Sequence, residues 1–73
     1  MKKVTVQFGT STHSVMVSSE KTIAEIVSDT TTKLILGYGD NVHALIGGVA
    51  QSMNATPPDN STILLESKAN SKA

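Results

Sequence analysis

Stretches of alternating apolar residues occur near both ends of the chain, and only one segment between them has the spacing of an amphipathic helix. Val4, Val6 and Phe8 alternate with polar residues, and Val15 and Val17 do the same after a glycine-containing turn. Alternation rich in β-branched residues is typical of strands with one buried face. The first seventeen residues therefore predict an N-terminal β-hairpin.

The helical segment begins with a recognisable cap. Thr22-Ile23-Ala24-Glu25 fits a capping box, in which the first and last side chains bind free backbone amides at a helix N-terminus. The apolar stripe that follows comprises Ile23, Ile26, Val27 and Leu34. Because β-branched side chains lose rotamer freedom in helices, we expect a break or kink near Thr30–Thr32, then a second helical turn ending at Gly37. The alternative is a short strand over Lys33–Leu36.

The C-terminal half predicts three further strands. Val42–Ile46 alternates between two faces, and Gly47-Gly48 supplies the positive φ angles that a two-residue hairpin turn requires. A short return strand over Val49–Gln51 follows. Pro57-Pro58 marks a turn-rich surface connection, because proline cannot donate to a sheet ladder, and Thr62–Lys68 is the last strand.

The chain has 73 residues, enough for one domain with a simple core. We expect the domain to span residues 1–68 and residues 69–73 to form a flexible tail. The aromatic residues are Phe8 and Tyr38, so the core must come from aliphatic side chains. The predicted core packs Ile23, Ile26 and Val27 across the sheet residues Val4, Val6, Val15, Val17, Ile63 and Leu65.

Charge and cysteine content exclude several classes of partner and cofactor. Six basic and six acidic residues cancel, so no overall field attracts nucleic acid or an anionic membrane. The lysines at positions 2, 3, 68 and 72 are interpreted as solvated ends. The chain has no cysteine, which excludes disulfides and thiolate metal sites. No apolar run resembles a signal peptide or a membrane span, so we expect a cytoplasmic protein. We also expect no cofactor.

The predicted order of hairpin, helix, strand, short return strand, proline-rich loop and final strand resembles the ubiquitin-like β-grasp superfamily. Val42–Ala50 is similar to the middle segment of the small sulfur-carrier proteins of thiamine and molybdopterin synthesis. Those proteins have a Gly-Asp type turn before the last strand, and Pro58–Ile63 fills this place here without the glycine. The resemblance implies an α+β fold: a mixed sheet of four to five strands with one helix packed across it.

The C-terminal residues depart from that family pattern. Sulfur carriers and conjugating ubiquitin-like proteins end in Gly-Gly, whose carboxylate is activated by an adenylating enzyme. This sequence ends Asn70-Ser71-Lys72-Ala73, and the last two side chains would obstruct such an active site. The internal Gly47-Gly48 has no free carboxylate and is interpreted as a hairpin turn. No catalytic residue is therefore carried over from the resemblance.

Other residue patterns do not predict catalytic or metal-binding chemistry. A metal or acid-base site would require His13 and His43 to converge with carboxylates such as Asp40 or Glu66, and we interpret the histidines as unrelated sheet positions. The Gly37–Asp40 segment lacks the lysine and the following helix of a phosphate-binding loop. It is interpreted as a helix stop and turn that presents Tyr38 at the surface.

The residues that alternate with the predicted core suggest a binding surface. Met16, Leu45 and Met53 are expected to face outward, and an exposed apolar patch often marks a protein-binding site. Together with Tyr38 and His43 they form the candidate set.

The function expected from the sequence is a small non-catalytic module, an adaptor, inhibitor or assembly factor, that binds another protein through its open sheet face or edge strand. Its size is typical of phage accessory proteins. If it is phage-encoded, we expect it to be associated with the virion. The alternatives are a structural subunit, such as a virion decoration protein or a homo-oligomer, and a degenerate ubiquitin-like or sulfur-carrier protein.

Overall fold

The computed structural model describes residues 1–39 and 41–67, and within these ranges it contains five strands and two short helices. In chain order they are β1 (Lys2–Phe8), β2 (Ser11–Val17), α1 (Ile23–Val27), α2 (Thr30–Leu36), β3 (Val42–Ile46), β4 (Val49–Gln51) and β5 (Ser61–Ser67). The predicted domain boundary at residue 68 and the predicted tail lie outside the described residues.

The five strands form one mixed sheet in the order β2-β1-β5-β3-β4. The central strands β1 and β5 are parallel, and the other neighbours are antiparallel. Gly47 and Gly48 have φ angles of 60° and 80°, which is the conformation expected of glycines in a two-residue hairpin turn. The predicted N-terminal hairpin and α+β architecture are confirmed.

Two side-chain caps divide the helical segment. The Thr22 hydroxyl accepts a hydrogen bond from the Glu25 backbone N–H, and the Glu25 carboxylate accepts one from the Thr22 N–H at 3.0 Å. At the second helix, the Asp29 carboxylate accepts hydrogen bonds from the backbone N–H and the hydroxyl of Thr32, both at 3.0 Å. These hydrogen bonds lower the pKa of both carboxyl groups, because they stabilise the charged form. The predicted capping box is confirmed.

The predicted break in the helix exists, but it lies just before the threonines. Asp29 has extended backbone geometry and caps α2, so Thr30–Thr32 forms the first turn of the second helix. Gly37 ends α2 with a φ of 82°, as expected for a left-handed helix stop. The alternative strand over Lys33–Leu36 is wrong.

The helices cover one face of the sheet and enclose the core. Its buried apolar residues are Val4, Val6, Ile23, Ile26, Val27, Leu36, Tyr38, Val42, Ala44, Ile63 and Leu65. Val15 and Val17 pack against this cluster and are partly buried. The predicted packing of α1 against β1 and β5 is therefore correct.

One residue of the predicted helical stripe does not face the core. Leu34 is 78% exposed, whereas Thr32 and Leu36 face the core. The prediction continued one helical phase from Ile23 through Leu34. Because α2 restarts at its own cap, the inward face of the second helix has a different phase.

The prediction for Lys2 is also wrong. It was predicted to be solvated, yet it is buried, and its ammonium donates to the backbone carbonyls of Pro57 at 2.6 Å and Ser19 at 3.0 Å. The Lys21 carbonyl lies at 3.5 Å from the same nitrogen. The chain before α1 and the loop before β5 both bring carbonyls to one point, and Lys2 links them to β1.

Tyr38 was predicted to lie at the surface, and the structure buries it. Its hydroxyl donates to the Val27 carbonyl at 2.7 Å, and its ring lies 5.7 Å from that of Phe8. Burial, with a smaller contribution from the negative charge of Asp29, raises the pKa of Tyr38 to about 12. The side chain extends the core beyond the end of α2 and is not part of an exposed surface.

Met53 was predicted to face solvent, but it is half-buried and packs against the core. Its carbonyl accepts a hydrogen bond from the Ala24 N–H at 2.8 Å, and the Ala55 carbonyl accepts one from the Ile23 N–H at 2.9 Å. These contacts satisfy free amides in the first turn of α1. They hold the segment after β4 against the helix layer.

Candidate functional site

The sheet has a second face, opposite the helices, which we call the open face. Strand side chains alternate between the two faces, so the positions between the core residues point away from the helices. The open-face positions are Lys3, Thr5, Gln7, Thr12, Ser14, Met16, His43, Leu45, Ala50, Thr62, Leu64 and Glu66.

An apolar row on this face runs from the central strand β5 across β3 to the edge strand β4. Leu45 on β3 lies opposite Leu64 on β5, and Ala50 on β4 lies opposite Leu45 on the other side. Both leucines are half-buried and Ala50 is exposed. We call these three residues the leucine patch. Directly opposed side chains in antiparallel strands contact each other, so the patch is one continuous apolar surface.

A hydrogen-bonded histidine–glutamate pair borders the leucine patch. His43 lies opposite Glu66, and its Nε2 is 3.0 Å from Glu66 Oε1. Their side chains are 45% and 53% exposed, so the pair is largely hydrated. It therefore adds polarity and shape at the rim of the patch more than stability.

The border of the leucine patch on the β1 side is polar and uncharged. Gln7 lies opposite Leu64 on the β1 side, and its side-chain amide donates to the Gly9 carbonyl at 3.1 Å. Thr5 and Ser14 are joined across β1 and β2 by a hydroxyl hydrogen bond of 3.0 Å. The open face is thus an apolar centre within a rim of hydroxyl, amide and charged groups.

The structure separates most of the residues chosen from the sequence. His43 and Leu45 lie together on β3, two positions apart on one face. Met16 is on the same face but on β2. It lies three strands away from Leu45 across the sheet and four residues further along it, a distance of about 20 Å. Tyr38 and Met53 belong to the helix side of the sheet. Only two of the five candidates therefore share a site.

The sequence reasoning missed Leu64 and gave Glu66 only a possible role with a metal. Leu64 lies between Ile63 and Leu65, which were correctly assigned to the core, so alternation alone placed it on the opposite face. What the sequence did not show is the pairing of β5 with β3, which brings Leu64 to Leu45 and Glu66 to His43.

The two histidines are separate, as expected. His13 is on β2 opposite Val6, on the core side of the sheet, whereas His43 is on the open face. Within residues 1–39 and 41–67, no three His, Cys, Asp or Glu side chains come together in a group that could hold a metal ion. In the same ranges, no helix is long and apolar enough to cross a membrane.

Comparison with known proteins is informative at the level of the fold. No protein-family model matches the chain, and no curated protein sequence is significantly similar. Among solved structures, it is similar to the solution NMR structure of a ubiquitin-like domain of an Arabidopsis thaliana protein. The match has a TM-score of 0.71 at 15% identity and covers 99% of this chain and 82% of that one. The chain has the ubiquitin-like β-grasp fold.

This likeness confirms the fold predicted from the order of elements. At 15% identity it extends to the path of the backbone and carries no side-chain correspondence. The resemblance to sulfur carriers in particular stays a prediction. The candidate functional residues of this β-grasp domain must therefore be found on its own surface.

Proposed function

We propose that this ubiquitin-like domain is a non-catalytic module that binds another protein through its open face, with the leucine patch at the centre of the interface. The observation that supports it is the opposition of Leu45 and Leu64 in the middle of a face that no described helix covers. Both leucines are only half-buried, so their outer surface is available to a partner.

The composition of the open face supports a protein partner. Protein interfaces have an apolar centre and a polar rim, and the charged residues are concentrated at the rim. Here the His43–Glu66 pair lies at one end of the leucine patch, and Gln7 and the Thr5–Ser14 pair lie on its β1 side. Because the rim includes the Glu66 carboxylate and no cluster of lysine or arginine, the surface does not favour a polyanion such as nucleic acid.

The fold leaves this face free for binding. Core residues lie on the other side, so changes on the open face alter binding without opening the core. A flat sheet surface also changes little in shape on binding, which reduces the ordering cost of the interface. A partner would then need a complementary apolar surface about the size of the leucine patch.

The test compares open-face variants with a matched variant on the helix side. The wild type, Leu45→Asp, Leu64→Asp and Leu34→Asp are immobilised and exposed to extract of the native host. Leu34 is the control because it is an exposed leucine far from the open face. We expect a protein retained by the wild type and Leu34→Asp and lost with both open-face variants.

The retained protein is then purified and titrated against each variant by calorimetry, after circular dichroism has verified that the variants are folded. We expect affinity to fall by about 10-fold or more for each open-face substitution, as for a residue at the centre of an interface. Equal affinity of the wild type and Leu45→Asp would place the interface elsewhere and refute the proposal.

A further inference from the structure

The two edges of the sheet differ in length. At one edge, β4 has only three residues, Val49–Gln51. At the other edge, β2 has seven, and its pairing with β1 runs without a bulge from Lys2 opposite Val17 to Phe8 opposite Ser11. Each strand at an edge leaves one row of backbone N–H and C=O groups unpaired within the sheet. Among the strands of the described residues, only β2 offers a row long enough to pair with another full strand.

The edge of β2 also lacks the features that usually prevent strand pairing. Natural edges carry charged residues, especially lysine, or proline, bulges or a covering segment. The β2 sequence Ser-Thr-His-Ser-Val-Met-Val contains no Lys, Arg, Asp, Glu or Pro. Its residues are those that favour β structure, with valines on the core side and Met16 59% exposed on the open face.

A cleft of mixed apolar and charged lining flanks the same edge. A cleft of about 400 Å³ runs beside β2, and its apolar lining includes Val15, Val17 and Ile26. Lys21, Glu25 and Asp29 also line it, and the two carboxylates are engaged as helix caps.

Ile35 extends this apolar flank along α2. Lys33, Val42 and Met53 line one cavity, so the Lys33 side of α2 faces β3. Residues two apart on a helix are rotated by about 200°, so Ile35 lies on the side that faces β2. Ile35 is 53% exposed. An exposed apolar side chain of α2 therefore lies on the side of the molecule that carries the β2 edge.

We propose that β2 pairs antiparallel with β2 of a second copy of this chain, so that two five-stranded sheets join into one. A two-fold axis requires the strand to face itself, which places identical groups close together. Because β2 contains no Lys, Arg, Asp or Glu, pairing places no such residue of the strand opposite its own copy. A strand with lysines at its edge would be repelled by its own copy.

The geometry defines both the register and the size of the assembly. All seven residues pair when the axis passes beside Ser14, and then Thr12 of each copy lies opposite Met16 of the other. The added strand directs Val15 and His13 of each copy towards the cleft of the other. The remaining outer edges are the short β4 strands, so pairing closes at two copies and does not continue into fibres.

This dimer is independent of the proposed open-face interaction. The leucine patch lies on β3, β4 and β5, away from β2, so each copy keeps its own patch. The interface is small, so we expect weak association that depends on concentration.

Sedimentation of the purified chain from about 10 µM to about 1 mM tests the proposal. We expect the mass to rise from that of one chain, 7.6 kDa, towards twice that value. A mass of one chain throughout this range overturns the proposal.

Three variants test the edge and the register. Thr12→Lys with Met16→Lys places two lysines opposite each other on both sides of the axis and should give a monomer. Thr12→Glu with Met16→Lys places opposite charges there and should restore the dimer. Within one chain these positions are about 13 Å apart, beyond the screening length at physiological salt, so the restoration requires contact between copies. Leu34→Lys, which adds a lysine at an exposed leucine away from the edge, is the control and should dimerise as the wild type does.

Both altered positions are exposed, so the variants should fold, and thermal unfolding verifies this. A folded double-lysine variant that dimerises like the wild type refutes pairing through β2. A charge-paired variant that is as monomeric as the double-lysine variant refutes the antiparallel register.

Discussion

The two faces of the sheet differ in where polar and apolar side chains lie. On the helix-covered face, polar groups are buried with specific partners: the Lys2 ammonium binds backbone carbonyls, and the Tyr38 hydroxyl binds the Val27 carbonyl. On the open face, apolar groups are left partly in water, and Leu45 and Leu64 have mainly each other. The difference teaches that the covered face provides stability, while the open face has apolar surface to spare and is the face proposed to bind a partner. Substitutions on the two faces should therefore differ in their effect on unfolding.

The largest expected effect is at the centre of the covered face. Replacing Ile26 with Ala should reduce the free energy of unfolding by about 2–5 kcal/mol, because a buried aliphatic side chain is lost and a cavity remains. Replacing Met53 with Ala should cost less, since that side chain is half-buried at the border of the core. Chemical denaturation of both variants measures the difference. A greater loss for Met53→Ala would contradict the description of the core.

The next effect concerns a buried charge on the same face. Replacing Lys2 with Met keeps the length of the side chain and removes the ammonium donor. We expect a loss of about 1.5–3 kcal/mol, the usual range for hydrogen bonds to a charged group.

Lys3→Met is the matched control for that substitution. Lys3 is exposed, and its described link to Asp59 is made by the backbone N–H, which the substitution leaves in place. A change of within about 0.5 kcal/mol is expected. Equal unfolding midpoints for the two variants in urea would show that Lys2 is not structurally linked to the loop before β5.

Tyr38 should give a smaller effect and a specific pH dependence. Replacing Tyr38 with Phe removes the hydrogen bond to the Val27 carbonyl and should cost about 1 kcal/mol. In the wild type, the folded-state pKa of Tyr38 is raised from 10.0 to about 12. The folded state therefore holds this proton after the unfolded state has lost it, and its contribution to stability falls as pH rises from 10 to 12.

Unfolding of wild type and Tyr38→Phe across that pH range isolates this contribution, because other alkaline titrations are common to both proteins. We expect the stability difference between them to shrink with rising pH. A constant difference would indicate that Tyr38 ionises alike in the folded and unfolded states.

The smallest effect is expected at the rim of the open face. Replacing His43 with Ala removes the hydrated pair with Glu66, and the free energy of unfolding should change by less than about 0.5 kcal/mol. Thermal unfolding at neutral pH measures it. A loss comparable to that of Lys2→Met would mean that the two faces do not divide stability from binding as described.

The sequence by itself determined the features whose physical cause is local. Strand alternation, the Thr22–Glu25 capping box, the Gly47-Gly48 turn and the Gly37 helix stop depend on residues close together in the chain. Their order was sufficient to predict the β-grasp fold. Alternation also separated core positions such as Val6 and Ile63 from their outward neighbours.

Tertiary structure decided what depends on residues distant in the chain. Lys2 is buried because carbonyls from two separate segments converge on its ammonium, and no local pattern specifies that meeting point. Leu34 lies outside because the Asp29 cap restarts the helix in a new phase that must match the sheet below it. The leucine patch exists because β5 pairs with β3, and the choice of strand neighbours is made by packing of the whole sheet against the helices.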